Sequence, residues 1–306
     1  MNTSFETLDY AVFGIYAIVI LGVGLWVSRD KKGETKSAED YFLASKSLPW
    51  WAIGASLIAA NISAEQFIGM SGSGFAVGLA IATYEWMAAL TLIIVGKFFL
   101  PIFIKKGLYT IPEFVEKRFS SQLKTILAVF WIGLYVFVNL ASVMYLGGLA
   151  LQTILGIDML TGVIGLAAFA AAYSLYGGLS AVAWTDIIQV VVLILGGLVT
   201  TYLALDTVSG GQGFIEGLTT IYHAVPEKFD MILDRSNPEF MNLPGIGVLI
   251  GGMWVANLYY WGFNQYIIQR TLAAKSLEES QKGILFAAGL KMIIPIIVVI
   301  PGIAAY

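Results

Sequence analysis

Apolar runs close to the thickness of a bilayer recur along this chain, at 10–27, 50–73, 79–104, 123–152, 161–177, 181–205, 244–268 and 283–306. A helix of about 20 apolar residues crosses a hydrocarbon core. Lipid offers no hydrogen bonds, so the backbone of each run must satisfy itself, which a helix does within the segment. The expectation is an all-α membrane protein of about eight spans. Composition agrees. The chain is 58% hydrophobic and 12% charged, with mean hydropathy +0.81, against about 25% charged residues in a soluble domain.

Several chemistries are excluded early. There is no cysteine, so disulfides, thiolate metal sites and cysteine nucleophiles drop out. The one histidine, His223, reads as a solvated loop residue. No metal cluster, nucleophile–base pair or phosphate loop is present, so the chain is not expected to be an enzyme or to hold a cofactor. Met1 to Asp9 has no lysine or arginine, hence no basic leader of a signal peptide.

Lysine and arginine fix an orientation. The 28–49 connection carries Arg29, Lys31, Lys32, Lys36 and Lys46. The 105–124 connection carries Lys105, Lys106, Lys117, Arg118 and Lys124, and 269–282 carries Arg270, Lys275 and Lys282. The opposite side has only Lys228 and Arg235. The basic connections are therefore expected in the cytoplasm and the N-terminus outside. The 206–243 segment becomes an acidic, partly helical external loop.

Two stretches then read as one device built twice. Leu48-Pro49-Trp50-Trp51 leads through an apolar run to Ala60-Asn61, and Leu243-Pro244 leads through another to Ala256-Asn257. With the orientation above, the two run antiparallel across the membrane. Paired interrupted helices of opposite direction mark inverted-repeat transporters, with the binding site at the breaks. The reading is a single membrane domain, 1–306. It has an extra N-terminal helix at 10–27, a first five-helix repeat at 50–205, the loop 206–243, and the opening two helices of a second repeat at 244–306. About three further helices would complete that repeat.

A charged group at a helix centre costs about 2.5–3.5 kcal/mol on insertion scales, so each such group needs a reason. Glu85 lies in Thr83-Tyr84-Glu85-Trp86, as a site carboxylate or an interfacial group in an aromatic belt. Lys291 lies inside the last run, as a site cation or a snorkelling side chain. Lys97 lies near the cytoplasmic end of its span, where snorkelling suffices. Glu65 follows the first break with helix-end, packing and ligand roles all open, and Gln66 offers both donor and acceptor at less cost. Carbonyls freed by an unwound turn suit a hard cation. Ala59, Ala60 and Ile62 are placed to supply them, unless Asn61 merely bonds a neighbouring helix. Gly69, Gly72 and Gly74 read as close helix packing.

The run Tyr176-Gly177-Gly178-Leu179-Ser180-Ala181-Val182-Ala183-Trp184-Thr185-Asp186-Ile187-Ile188-Gln189 resembles the signature of the sodium/solute symporter family. Ala55–Gly74, Ala82–Trp86 and Trp254–Arg270 resemble its sodium/glucose cotransporter branch. The resemblance covers essentially the whole chain, as a little over half of such a protein. It implies a leucine-transporter-like inverted-repeat fold with interrupted second and seventh spans, and sodium-driven sugar uptake by alternating access in a bacterial plasma membrane. The partners implied are sodium as coupling ion, a small neutral sugar and the lipid bilayer, with no nucleic acid.

Residue roles follow from the same resemblance. Gln66, Glu85, Asn257 and Lys291 are similar to residues that hydrogen-bond the sugar, and Tyr260 to the ring stacked under it as an inner gate. Asn61 and Trp261 match the neighbours of that ring, and Met70 and Tyr84 match outer-gate residues. The backbone carbonyls of Ala59 and Ile62 match sodium ligands, and Asp186 an acidic residue on the ion exit path. Ala88 departs from the pattern, since a serine that contacts the sugar stands there in a member of the branch. Two other readings stay open: a sodium symporter of another small solute (amino acid, inositol or sialic acid), and a transporter-like sensor.

Overall fold

The structure is a computed structural model and describes residues 6–29, 37–63, 65–243 and 245–306. Lys31, Lys32 and Lys36 of the first basic connection, and Pro244 of the second device, lie outside the described residues.

The described residues are helical throughout their length apart from turns and one isolated bridge, Leu48 to Ala274. We label α1 Thr7–Val27, α2 Trp50–Asn61, α3 Ser71–Ala76, α4 Leu79–Lys105, α5 Ser121–Leu155, α6 Met159–Val208, α7 Phe214–Ala224, α8 Gly252–Phe263, α9 Gln265–Leu272 and α10 Leu277–Ala304. Side-chain caps start several of them. Ser120 accepts from the Leu123 N–H, Asp158 from Thr161 and Ser276 from Glu279, each satisfying an orphan donor of a first turn. Gly156 ends α5 in the left-handed conformation.

Five helices among the described residues are long and apolar enough to cross a membrane, or six if the bent pair Pro238–Ile250 and Gly252–Phe263 counts as one. The eight expected runs are distributed differently for physical reasons. The runs at 161–177 and 181–205 are two helices that meet within the stretch labelled α6 at a kink on Gly178, φ +58° and ψ −149°. A Cβ there would strike the Tyr41 carbonyl, so the turn needs glycine twice over. The run at 50–73 is split by a break after Asn61 into α2, a π-helical turn at Glu65–Met70, and α3. The second device differs from expectation. Asn257 sits inside regular helix, the axis bends by 75° at Gly251, and the backbone becomes extended only at Asn264.

The centre of the molecule is α2, α4 and α10. In α10, 56% of the apolar window is buried and in α4 50%, against 11% for α1 and 6% for α5, whose faces are left for lipid or for other protein. Between helices in lipid, association rests on close packing and polar contacts rather than on expelling water. The sequence supplies that closeness: Gly54 of α2 faces Gly283 of α10, and a Cβ on Gly54 would lie 2.7 Å from the Gly283 carbonyl. Pro295 inside α10 removes the N–H that would bond the Lys291 carbonyl, loosening the ladder at that lysine.

The 206–243 segment carries α7 and short 3-10 turns at Pro226–Phe229 and Pro238–Met241. His223 lies on the exposed face of the last turn of α7, not in a loop. Lys228 is buried; its ammonium bonds the Phe75 and Ala76 carbonyls at 2.9 and 2.6 Å and covers the open end of α3. Gly54→Leu should drive α2 away from α10. A lower melting midpoint of the detergent-solubilised protein, worth about 1–3 kcal/mol or more for overpacking, is expected by fluorescence-detected gel filtration after heating.

Candidate solute site

The break after α2 creates the site. Ile62 turns extended, at φ −84° and ψ 105°, and its N–H closes the last helical bond, to Ile58 at 2.8 Å. Beyond that bond the ladder stops, and Asn61 projects from a helix end instead of a helix flank. The π-helical turn that follows brings Gln66 and Met70 round to the same space.

Asn61, Gln66, Met70, Tyr84, Glu85, Asn257, Tyr260 and Trp261 all line one cavity of about 500 Å³, together with Ala88. These residues come from three separate parts of the chain: the break after α2, the start of α4, and α8. The lining also includes Ser73 and Tyr259. Lys291 is the exception among the expected ligands. It is fully buried and stands behind the cavity wall rather than in it.

From there Lys291 organises the wall. Its ammonium donates to Glu85 Oε2 at 2.5 Å and to Asn61 Oδ1, and lies 5.1 Å from the centre of the Trp261 ring. Gln66 donates to the other Glu85 oxygen at 2.7 Å and approaches the Met70 sulfur at 3.4 Å. A buried ammonium beside a buried carboxylate, with further hydrogen bonds to both, offsets the desolvation cost that either charge would carry alone. The snorkelling alternative for Lys291 fails, because the side chain is 0% exposed. Lys97, by contrast, is exposed, its ammonium 5.4 Å from the Phe98 ring. Asn257 is buried, lines the cavity and gives its amide to the Met253 carbonyl at 3.0 Å.

Asn61, Gln66 and Tyr260 also line a second cavity of about 860 Å³, together with Tyr135, Asn139, Tyr173, Gln189 and Tyr266. The Asn61 amide donates to the Tyr260 hydroxyl at 3.2 Å, where the two spaces meet. Ala59 and Ile62 border a third space of about 480 Å³ between α2, α6 and α10, with Ser71, Gln189 and Thr200 among its polar neighbours.

Asp186 is placed apart from all three. It is buried, accepts from the Ser56 hydroxyl at 2.5 Å and faces the Arg270 guanidinium at 3.6 Å. Arg270 Nε also donates to Ser56 at 2.8 Å. The sequence reading counted Arg270 only toward orientation and passed over Ser56, Tyr135 and Tyr266. Arg270 is buried, at 8% exposure, a fact that its place in a basic connection does not signal.

Comparison with known proteins places this geometry in context. The sequence profile of the sodium:solute symporter family matches residues 41–306. A sodium/glucose cotransporter of Vibrio parahaemolyticus is 72% identical over 299 residues, covering 98% of this chain and 55% of the relative. The human sodium/myo-inositol cotransporter 2 is 36% identical over 309 residues, covering 98% of this chain and 45% of the relative. Among solved structures, the substrate-bound outward-open state of a Na+-coupled sialic acid symporter superposes with a TM-score of 0.85 at 26% identity, covering 98% of this chain and 61% of that one. The chain spans about half the length of the curated relatives it matches.

The buried pair generates a stability prediction. Lys291→Met leaves Glu85 buried without its charge partner, with only the Gln66 amide beside it, which costs about 3–5 kcal/mol. Adding Glu85→Leu removes the orphaned charge and should restore most of the loss. Melting midpoints of the two variants, read side by side, check the order.

Proposed function

The chain belongs to the sodium:solute symporter family, and we propose that it forms the solute-gating part of a sodium-coupled sugar symporter, for galactose or glucose. The observation that carries this reading is the balanced charge of the candidate wall. Glu85 and Lys291 cancel each other, so a bound solute meets amides, a carboxylate already paired, and aromatic rings rather than a net charge. A neutral ring bearing several hydroxyls both donates and accepts, and that set of groups answers both needs.

In this reading Gln66, Glu85 and Asn257 hydrogen-bond the solute hydroxyls, and Tyr260 stacks beneath the ring. Lys291 acts on the solute through Glu85 and Asn61, which it holds in place. Asn61 and Trp261 support the inner gate, and Met70 and Tyr84 lie over the solute on the outer side. An anionic solute would face Glu85 directly, which disfavours an acid such as sialic acid. A neutral polyol such as an inositol remains the second reading, supported by the named cotransporter among the relatives.

Sodium enters this scheme as the coupling ion, not as a resident cofactor. The carbonyls of Ala59 and Ile62 are its proposed ligands here, since the α2 ladder ends between them. An ion held there steadies the break, and coupling requires only that one arrangement of the gates bind it better than the other. Asp186 lies on the proposed exit path, with the consequence that Arg270 and Ser56 must release it before an ion can pass.

The proposed setting is the plasma membrane of a bacterium, with the N-terminus outside and the basic connections in the cytoplasm. Residues 50–205 form the first five-helix repeat and 244–306 open the second. Uptake of labelled galactose, glucose and myo-inositol by the full-length protein tests the function. Sugar accumulation that disappears when choline replaces sodium, and that falls at least about tenfold in Glu85→Ala, is the expected result. Unchanged sugar uptake in Glu85→Ala sinks the assignment of the site.

A further inference from the structure

Tyr266 has no place in the solute wall, yet its two ends reach two different pieces of machinery. Its hydroxyl donates to the Tyr260 hydroxyl at 2.9 Å. Its backbone carbonyl accepts from Arg270 Nη1, on the next turn of α9. Arg270 is in turn fixed by Ser56 and Asp186. The ring itself is wedged edge-on between Tyr135, at 5.7 Å, and Tyr260, at 6.0 Å. Tyr135 is held by the break as well: it donates to the Asn264 side chain at 2.8 Å and accepts from the Gln265 N–H at 3.2 Å.

The geometry closes into a loop. Asn61 and Ser56 lie on the same helix, α2, and Tyr260, Tyr266 and Arg270 lie on one continuous stretch from α8 into α9. Asn61 ties the upper end of that stretch to α2 through Tyr260, and Ser56 ties the lower end through Arg270. Tyr266 stands between the two ties and bonds both. A tyrosine hydroxyl has two acceptor sites and one proton. In Tyr260 both acceptor sites are filled, by Asn61 and Tyr266, which pins the hydroxyl from two sides where the two cavities meet.

We propose that Tyr266 is a positioning residue that holds the Tyr260 partition shut and joins it to the Arg270–Asp186–Ser56 cluster, so that the two ties between α2 and the 259–272 stretch open together. The proposal rests on reading the Asn61–Tyr260 contact as the partition beneath the solute. It adds the element that makes opening cooperative: freeing Asp186 from Arg270 lets α9 turn, which withdraws the Tyr266 hydroxyl from Tyr260. Conversely, a solute that displaces the Tyr260 ring loosens the hold on Arg270.

Thiol labelling tests this without reference to any solute. These 306 residues contain no cysteine, so Ala88→Cys, in a full-length background cleared of other cysteines, places one thiol in the wall of the 500 Å³ cavity. A charged, membrane-impermeant reagent is applied to the face bearing the basic connections. Tyr266→Phe keeps the ring wedge and removes one hydrogen bond. It should raise the labelling rate about threefold to tenfold, the change in open population that one hydrogen bond carries. Ser56→Ala, which cuts the lower tie, should raise the same rate. In a Tyr260→Phe background, which lacks the accepting hydroxyl, Tyr266→Phe should add nothing. Equal rates for Tyr266→Phe and its parent overturn the proposal, as does a Tyr266→Phe effect that persists undiminished without the Tyr260 hydroxyl. A Ser56→Ala rate equal to the parent overturns the joining of the two ties. Failure of the parent protein to accumulate any sugar would sink the proposed substrate while leaving these rates to be read.

Discussion

The interaction on which this structure depends is the buried contact of Lys291 with Glu85 and Asn61. An ammonium taken wholly out of water is tolerable only with a charge partner and further acceptors. Lys291 finds its partner on α4 and its second acceptor at the end of α2, so one cation joins the three central helices. The joint has a direction. Glu85 and Asn61 line the cavity while Lys291 stands behind them, so the proposed solute would meet polar atoms already aligned by a charge it does not touch. Pro295, by freeing the Lys291 carbonyl, puts a missing rung of α10 at the same level.

Much of the architecture could be read from the chain because lipid leaves so few choices. A run such as 79–104 must be a helix, and α4 occupies 79–105. Where the reading stopped short, local backbone chemistry decided. Residues 161–205 read as two apolar runs with a short link, and the structure has a helix on either side of a kink, with the link reduced to one glycine in a conformation closed to other residues. The two Ala-Asn pairs looked equivalent, yet only Asn61 ends a helix. After Asn257 a π-helical turn carries the chain on through Tyr260 and Trp261, and the extended residue is Asn264. Spelling shows that a run contains a polar residue; whether the helix breaks there depends on which neighbouring groups are waiting to take up the freed backbone.

The candidate wall was legible for a related reason. Polar side chains at membrane depth are scarce, so Asn61, Gln66, Glu85, Asn257 and Lys291 stood out individually before anything placed them together. Tyr266, Tyr135, Ser56 and Arg270 did not stand out. Tyrosine and serine are unremarkable in a helix of this kind, and an arginine near a cytoplasmic connection has an adequate explanation in topology. What distinguishes them is tertiary: Arg270 is buried against Asp186, and the Tyr266 hydroxyl falls on Tyr260. No spacing along the sequence encodes those meetings.

A gate made of neutral hydrogen bonds and a latch made of buried charge differ in what opens them. Each bond at Asn61–Tyr260–Tyr266 nets only about 0.5–1.5 kcal/mol, so a solute that offers its own hydroxyls can replace them with little loss. The Arg270–Asp186–Ser56 cluster cannot be exchanged so easily, since separating its charges in a dry interior strands both. Water or a cation must arrive first. Set on the same two segments, the two contacts in the proposed scheme answer to different visitors, the upper to a polar neutral molecule and the lower to charge or solvent. On the proposed scheme a segment held by both moves freely only when both have been met, which is the condition for tying uptake of a solute to passage of an ion.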